Sequence, residues 1–205
     1  PATSEGALSA GLELHLSEGW KTYWLNPGPN GVAPRLDFSG SENLASAEPL
    51  WPAPVRLVDG AGEAAAYTGH LIVPLIVAPK DPAKPVALRL RMDFGVCEKV
   101  CVPASAELKF DLVPGAKPEA MTAALLEGFK SRVPKRTKLG ADGDFAVTAI
   151  ARTPDSLGVT VRFPDQAKTR DLFARAEGTA LPLPKLQAPG TYSIKLKRGS
   201  EPSAI

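Results

Sequence analysis

Apolar and polar residues alternate with a period of two along several short stretches of the chain. In the first stretch Leu12, Leu14 and Leu16 alternate with Glu13 and His15. Because successive side chains of a β-strand point to opposite faces of the sheet, this pattern predicts a half-buried strand. Similar alternation predicts further strands in residues 20–24, 86–94 and 108–112.

The residues between these stretches favour turns. The chain contains 21 prolines and 18 glycines, which divide it into short segments. Turn-rich loops occupy residues 26–31 and 51–54. Many short strands separated by turns at this spacing are typical of an antiparallel sandwich. We therefore predict an all-β fold, with an immunoglobulin-like β-sandwich over residues 1–114.

Local sequence also predicts where individual strands end and which way they face. The apolar run 71–77 should bend or end near Pro74, because proline cannot donate to a strand ladder. The strand that begins at Val86 should end at Phe94, because Gly95 and Pro103 bracket the next segment as turn residues would. A core-facing apolar pattern is predicted to recur at Leu108, Phe110 and Leu112.

The second half of the chain has a different organisation. Residues 115–139 are predicted to be a linker with one helix over 119–133, since Met121, Leu125 and Phe129 recur every four residues and Pro134 ends the pattern. Alternation returns after Gly140. It predicts a second, smaller β-sandwich-like domain over residues 140–205, thin enough for its core to be incomplete.

Composition narrows the function classes. The formal net charge is only +2, so the whole-molecule field gives no reason to expect a nucleic-acid partner. No stretch reaches the roughly 18 apolar residues that a transmembrane helix needs. The sequence begins at Pro1 without methionine, which is compatible with an exported chain whose signal peptide has been removed.

The two cysteines, Cys97 and Cys101, are four positions apart. A disulfide requires Cα atoms within about 7 Å, whereas residues four apart in an extended strand are about 13 Å apart at ~3.3 Å per residue. A bond between them therefore requires a tight loop or one helical turn, for which the rise over four residues is about 6 Å.

Spacing leaves three uses of the cysteines open. A purely structural disulfide is one, although closing so short a loop contributes only about 2 kcal/mol, against about 5 kcal/mol for a hundred-residue loop. In that case the domain would be a non-catalytic binding module. Redox exchange is the second use. Metal binding is the third: only His15 and His70 could supplement the thiols, too few ligands for a structural zinc site, but two thiolates suffice for a Cu(I)-handling protein.

Five ordered motifs resemble the N-terminal domain family of DsbD, in particular the branch found in suppressor-of-copper-sensitivity B proteins and stand-alone relatives. The resemblance covers residues ~10–113. Its motifs are Gly19-Trp-Lys-Thr-Tyr-Trp-Leu-Asn-Pro-Gly28, Phe38-Ser-Gly-Ser-Glu-Asn-Leu44, Leu50-Trp-Pro-Ala-Pro54, Tyr67-Thr-Gly69 and Gly95-Val-Cys-Glu-Lys-Val-Cys-Val-Pro-Ala104.

The resemblance implies a bacterial periplasmic thiol–disulfide oxidoreductase with an immunoglobulin-like fold and no cofactor. In such a protein a dithiol–disulfide pair relays electrons. The implied donor is a membrane-embedded thiol transporter or its thioredoxin-like domain, and the implied acceptors are periplasmic thioredoxin-fold oxidoreductases. Mixed disulfides would be the intermediates.

The resemblance also implies which residues form the site. Cys97 and Cys101 would be the redox pair, with Cys101 preferred as the attacking sulfur. Tyr23 and Lys21 would lie beside them on one strand face, and Tyr67 matches the element that follows the shielding cap loop of the family. The residues before Tyr67 are alanines 64–66, which lack the cap side chains of the family. Either Tyr67 would cover the sulfurs itself, or the site would be open and less selective. Phe94 and Pro103, at the two sides of the cysteine segment, complete the expected supporting residues.

Overall fold

The computed structural model describes residues 6–60, 62–176 and 179–196. Its described part contains thirteen β-strands and one α-helix, which confirms the all-β prediction. The two ends of the chain, which belong to the predicted domains 1–114 and 140–205, lie outside the described residues. No helix within the described ranges is long and apolar enough to cross a membrane.

The elements follow one another in this order: β1 Leu8–His15, β2 Lys21–Tyr23, β3 Arg35–Asp37, β4 Leu44–Pro49, β5 Val55–Asp59, β6 Gly62–Thr68, β7 His70–Pro79, β8 Val86–Cys97, β9 Cys101–Leu112, α1 Ala120–Lys130, β10 Ala146–Arg152, β11 Ser156–Arg162, β12 Lys185–Ala188 and β13 Thr191–Lys195.

These elements belong to two compact units whose segments alternate along the sequence. Unit 1 contains the described residues up to Trp24, together with Val32–Ala53 and Tyr67–Pro134. Unit 2 contains Leu25–Gly31, Pro54–Ala66 and the described residues from Lys135 onward. The limits 1–114, 115–139 and 140–205 remain a prediction about domains.

Unit 1 contains two groups of antiparallel strands. In one, β7 lies between β1 and β4; in the other, β8 lies between β3 and β2 and also pairs with β9. A core cluster draws side chains from both groups, because every second residue of a strand points to the same face and the apolar ones face inward. Its buried members are Leu75, Val77, Val86, Leu88 and Leu112.

Neither predicted strand end is observed, and a bend at Pro74 stays a prediction. Strand β7 continues through Pro74, which pairs with Gly11 and accepts a hydrogen bond at its carbonyl from the Leu50 backbone N–H. Strand β8 continues past Phe94 to Cys97. Gly95, expected to be a turn residue, therefore lies inside a strand, because pairing with neighbouring strands outweighs the local turn preference of glycine.

The predicted inward pattern on β9 is correct only at its end. Leu112 is buried, but Phe110 is 62% exposed and Leu108 is 43% exposed. Among the described strands β9 pairs only with β8, so it is an edge strand. Alternation fixes which side chains share a face, but it does not determine whether another layer covers that face.

The helix α1 is shorter than predicted and contacts β7. Of the three predicted apolar positions only Phe129 is buried, whereas Met121 is 76% exposed and Leu125 is exposed. The helix therefore packs through its C-terminal end. The Ala53 backbone N–H donates a hydrogen bond to the Arg132 carbonyl just beyond that end. This bond is a second contact between the end of the helix and the rest of unit 1.

Unit 2 contains a four-stranded antiparallel sheet in the order β10–β11–β13–β12, and a hairpin formed by β5 and the part of β6 up to Ala66. The core of the sheet includes Leu157, Val159, Val161, Tyr192 and Ile194. These residues supply a buried apolar face for the short C-terminal strands. The alternation after Gly140 predicted inward positions correctly on β11 and β13, but on β10 it predicted Phe145 and Ala149, which are exposed, whereas Ala146 is buried.

Candidate redox site

The two cysteines face each other at the turn end of a long antiparallel hairpin. Strands β8 and β9 pair continuously from Val86↔Leu112 to Cys97↔Cys101, so the cysteines form the last rung before a three-residue turn. They are joined by a disulfide, with Cα atoms 4.1 Å apart. The sequence-based expectation of a tight loop is thus met by a hairpin turn rather than a helical turn.

A second strand positions the site from the other side of β8. Strand β2 pairs with β8 so that Lys21 lies opposite Cys97 and Thr22 opposite Val96. The Thr22 hydroxyl donates a buried hydrogen bond of 2.9 Å to the carbonyl of Gly95. This side-chain contact adds to the short ladder of two residue pairs and fixes β2 beside the cysteine end of β8.

Tyr23, the last residue of β2, brings its hydroxyl to the disulfide. The hydroxyl oxygen lies 2.9 Å from Sγ of Cys97 and 3.4 Å from Sγ of Cys101. The tyrosine is almost fully buried. A phenol can donate to sulfur, and a thiolate accepts such a bond more strongly than a neutral sulfur does. The arrangement can therefore stabilise a thiolate formed when the disulfide opens.

The two cysteines differ in exposure. Cys97 is 1% exposed, whereas Cys101 is an exposed residue. The turn between them is also exposed, with Val100 at 73%. An incoming thiolate must reach a sulfur along the axis of the bond that it breaks, so access is a determinant of which cysteine reacts. Cys101 is the accessible member of the pair.

Gly95 permits the close packing behind the disulfide. A Cβ atom at this position would lie 2.9 Å from Cβ of Val32 and 3.4 Å from Cδ2 of Tyr23. The first distance is too short for two carbon atoms, so glycine is needed for close approach rather than for a turn. Thr22, Gly95 and Val32 thus support the site. Of these three, only Gly95 was given an individual role by the sequence, as a turn residue.

The remaining predicted supporting residues occupy different places. Tyr67 is buried, donates a 2.7 Å hydrogen bond to the carbonyl of Pro52 and stacks on Trp51. Burial raises the pKa of the Tyr67 phenol, so it stays protonated. These contacts explain its burial without reference to the sulfurs, and its shielding role remains a prediction.

Phe94 and Pro103 lie on the two strands of the hairpin. Pro103 pairs with Gly95 and is exposed two residues after Cys101, on the same face by strand alternation. Phe94 is half-buried and, three residues before Cys97, points to the opposite face. Pro103 is therefore placed with the disulfide, whereas Phe94 is placed with the core side of β8.

The chemistry available at this site depends on its oxidation state. With the two sulfurs bonded to each other, neither can act as a thiolate nucleophile or metal ligand. Reduction would produce two adjacent thiols, one buried beside Tyr23 and one on an exposed residue. This pair can open and close through thiol–disulfide exchange.

Comparisons with known proteins agree with this geometry. The family model described as "Thiol:disulfide interchange protein DsbD, N-terminal" matches residues 1–112. A search of curated proteins gave no significant match. Among solved structures, the chain is similar to the N-terminal periplasmic domain of ScsB from Proteus mirabilis, with a TM-score of 0.64 and 20% identity over 94% of this chain and 74% of that chain. The structural likeness shows a shared fold. Because the family match spans more than half of the sequence and includes both cysteines, this chain belongs to the DsbD N-terminal family of thiol–disulfide interchange domains.

Proposed function

We propose that this protein relays electrons by thiol–disulfide exchange through the Cys97–Cys101 pair. The single observation that carries the proposal is the difference between the two halves of the disulfide: Cys97 is buried beneath the Tyr23 hydroxyl, and Cys101 is exposed. A purely structural disulfide needs neither an exposed member nor a hydrogen-bond donor aimed at its sulfurs.

The exchange proceeds in two steps. A thiolate of a reduced partner attacks Sγ of Cys101, the Cys97–Cys101 bond breaks, and Cys97 leaves as a thiolate that Tyr23 stabilises before it takes up a proton. The second partner thiolate then attacks the partner's own sulfur in the mixed disulfide and releases Cys101. Two electrons and two protons reach the cysteine pair, and the partner becomes a disulfide.

The reduced pair passes the electrons on by the reverse sequence. Cys101 attacks the disulfide of an oxidised acceptor, and Cys97 resolves the mixed disulfide, which restores the Cys97–Cys101 bond. In this proposal the donor is a membrane-embedded thiol transporter or its thioredoxin-like domain, and the acceptors are thioredoxin-fold oxidoreductases. Family membership supports these partner classes.

The proposal also includes location and fold. The similar ScsB domain is described as periplasmic, and a compartment without a reducing glutathione pool allows a disulfide to persist between turnovers. We assign this chain to the bacterial periplasm on that basis. For unit 1 we propose an immunoglobulin-like sandwich, supported by two groups of antiparallel strands that share one apolar core.

The reduction potential of the cysteine pair tests the proposal. The folded chain is equilibrated in graded glutathione or dithiothreitol buffers, and free thiols are counted after alkylation. We expect a reversible two-electron transition between about −180 and −270 mV, where known exchangers operate. The far-UV circular dichroism spectrum should be unchanged in the reduced state.

Single-cysteine variants test the assigned roles. Cys97→Ser leaves the exposed Cys101 and should form a mixed disulfide with a thioredoxin-fold oxidoreductase. Cys101→Ser, the matched control, leaves the buried Cys97 and should form much less. A disulfide that stays closed below about −300 mV, or opens only when the protein unfolds, would instead identify a structural crosslink in a binding module.

A further inference from the structure

Both histidines of the chain lie side by side on the surface of unit 1. His15 is the last residue of β1 and His70 the first of β7, and the two form a cross-strand pair in the antiparallel ladder. Glu13 lies two residues before His15 and therefore on the same face. The sequence gives no sign of this arrangement, because His15 and His70 are 55 positions apart and each resembles an ordinary strand residue.

The polar atoms of the three side chains converge on one point. The Nε2 atoms of His15 and His70 lie 2.9 and 2.7 Å from the same carboxylate oxygen, Oε1 of Glu13. The two imidazole rings are stacked, with centroids 4.4 Å apart and planes inclined by 10°. Two imidazole nitrogens are thus aimed at one oxygen from neighbouring strands.

We propose that Glu13, His15 and His70 form a binding site for a divalent first-row transition metal ion of the Zn²⁺ type. One ligand atom from each residue lies within 4.8 Å of the others. Imidazole nitrogen and carboxylate oxygen are ligands that Zn²⁺ accepts, at about 2.0–2.2 Å. Small side-chain rotations would place one ion among the three, with water at the remaining position. Within the residues that the structure describes, no second group of three such side chains meets.

The cluster supplies a negative charge that would attract a cation. Hydrogen bonds from His70 and His15 hold the pKa of Glu13 below its ordinary value, so its carboxylate is ionised at neutral pH. A bound ion replaces the protons by which the two imidazoles contact that carboxylate.

The surrounding structure holds one of the ligands in place. Phe129, buried in the last turn of α1, meets the His70 ring edge-on with centroids 5.3 Å apart. The Arg132 guanidinium lies over the Phe129 ring, 4.6 Å from its centroid. A packed aromatic neighbour restricts the imidazole orientation, which lowers the entropy lost when a metal binds.

Zinc titration of the full chain tests this site. The protein is kept in the disulfide form, so that its thiols cannot bind, and Zn²⁺ alone is added in competition with a chromophoric chelator. We expect one equivalent to bind. His15→Ala and His70→Ala should each weaken binding at least about tenfold, because loss of an outer-shell partner already costs that much. Glu13→Gln should also weaken it, whereas Glu107→Gln, an exposed strand carboxylate elsewhere, should not.

A spectroscopic readout separates ligation from a merely structural effect. Since the chain has only two histidines, the side-chain ¹⁵N spectrum should show both Nε2 resonances shifting together on addition of Zn²⁺. Absence of stoichiometric binding, binding that survives both histidine substitutions, or unshifted Nε2 resonances would overturn the proposal. If an alanine variant fails to fold, Glu13→Gln and the wild-type spectrum still decide the question.

Discussion

At the residue scale, one hydroxyl group of the sequence motif contacts the disulfide directly. Tyr23 contacts both sulfurs from a buried position, whereas Lys21 on the same strand lies opposite Cys97 in the ladder. The motif resemblance identified Tyr23 and both cysteines. It could not identify Thr22, whose hydroxyl bonds the backbone of Gly95, because that contact joins residues 73 positions apart.

The Tyr23 hydroxyl should tune the cysteine pair, and Tyr23→Phe tests this. A thiolate accepts its hydrogen bond better than a disulfide does, so removing the hydroxyl destabilises the reduced state. Losing about 0.5–1.5 kcal/mol corresponds to a reduction potential about 10–30 mV more negative. Equilibration with glutathione measures this shift.

Tyr192→Phe is the matched control, because Tyr192 is also buried but belongs to unit 2. Its substitution should leave the potential of the cysteine pair unchanged. Equal shifts in both variants, or no shift in Tyr23→Phe, would contradict the assigned role of the Tyr23 hydroxyl.

At the scale of elements, the site depends on strand pairing that local sequence did not reveal. Glycine and proline around the cysteines suggested that β8 stops at Phe94, but the ladder with β9 continues to the disulfide itself. Cross-strand pairing stabilises residues whose own preference is for turns. The helix α1 shows the same limit. Its apolar four-residue repeat predicted a helix, but of the three repeated residues only Phe129 is buried.

Gly95→Ala tests the packing between β2 and β8. The added methyl group would approach Val32 to 2.9 Å and also touch Tyr23, so one of these residues must move. We expect a loss of about 1–3 kcal/mol in the free energy of unfolding, as for other overpacked sites. Urea denaturation measures this loss.

The control is Gly128→Ala in α1, where a Cβ atom would meet nothing within 4 Å. Alanine is favoured over glycine inside a helix by about 0.5–1 kcal/mol, so this variant should be more stable than wild type. If Gly95→Ala were as stable as Gly128→Ala, the close-packing argument for Gly95 would fail.

At the scale of the whole molecule, each unit is assembled from segments far apart in sequence. In unit 2, Arg56 of β5 makes two hydrogen bonds to the carboxylate of Asp171, at 2.8 and 2.9 Å, and further bonds to Glu63 and the Pro184 carbonyl. The hydrogen bonds to Asp171 raise the pKa of Arg56. The Arg56 side chain is only 19% exposed, so solvent screens these contacts weakly.

Arg56→Ala should therefore destabilise unit 2 by about 2 kcal/mol, since hydrogen bonds to charged groups are lost and Asp171 keeps an unpaired charge. Urea denaturation with hydrogen exchange of residues 156–195 would locate the effect. Arg91→Ala is the control, because Arg91 pairs with Asp93 and Glu107 from a largely exposed position. Its cost should stay within about 0.5 kcal/mol, and equal costs would refute the special role of Arg56.

The sequence by itself determined the class of fold and the family, and it singled out Cys97 and Cys101 as the candidate redox pair. Alternation with a period of two depends only on strand geometry, and the ordered motifs around Cys97 and Cys101 identify the family without coordinates. Tertiary structure decided what depends on contacts between distant residues. Such contacts expose Cys101 and bury Cys97, leave one face of β9 uncovered, and bring both histidines to one carboxylate. No local pattern encodes these results, because burial and proximity depend on which other segments pack against a residue.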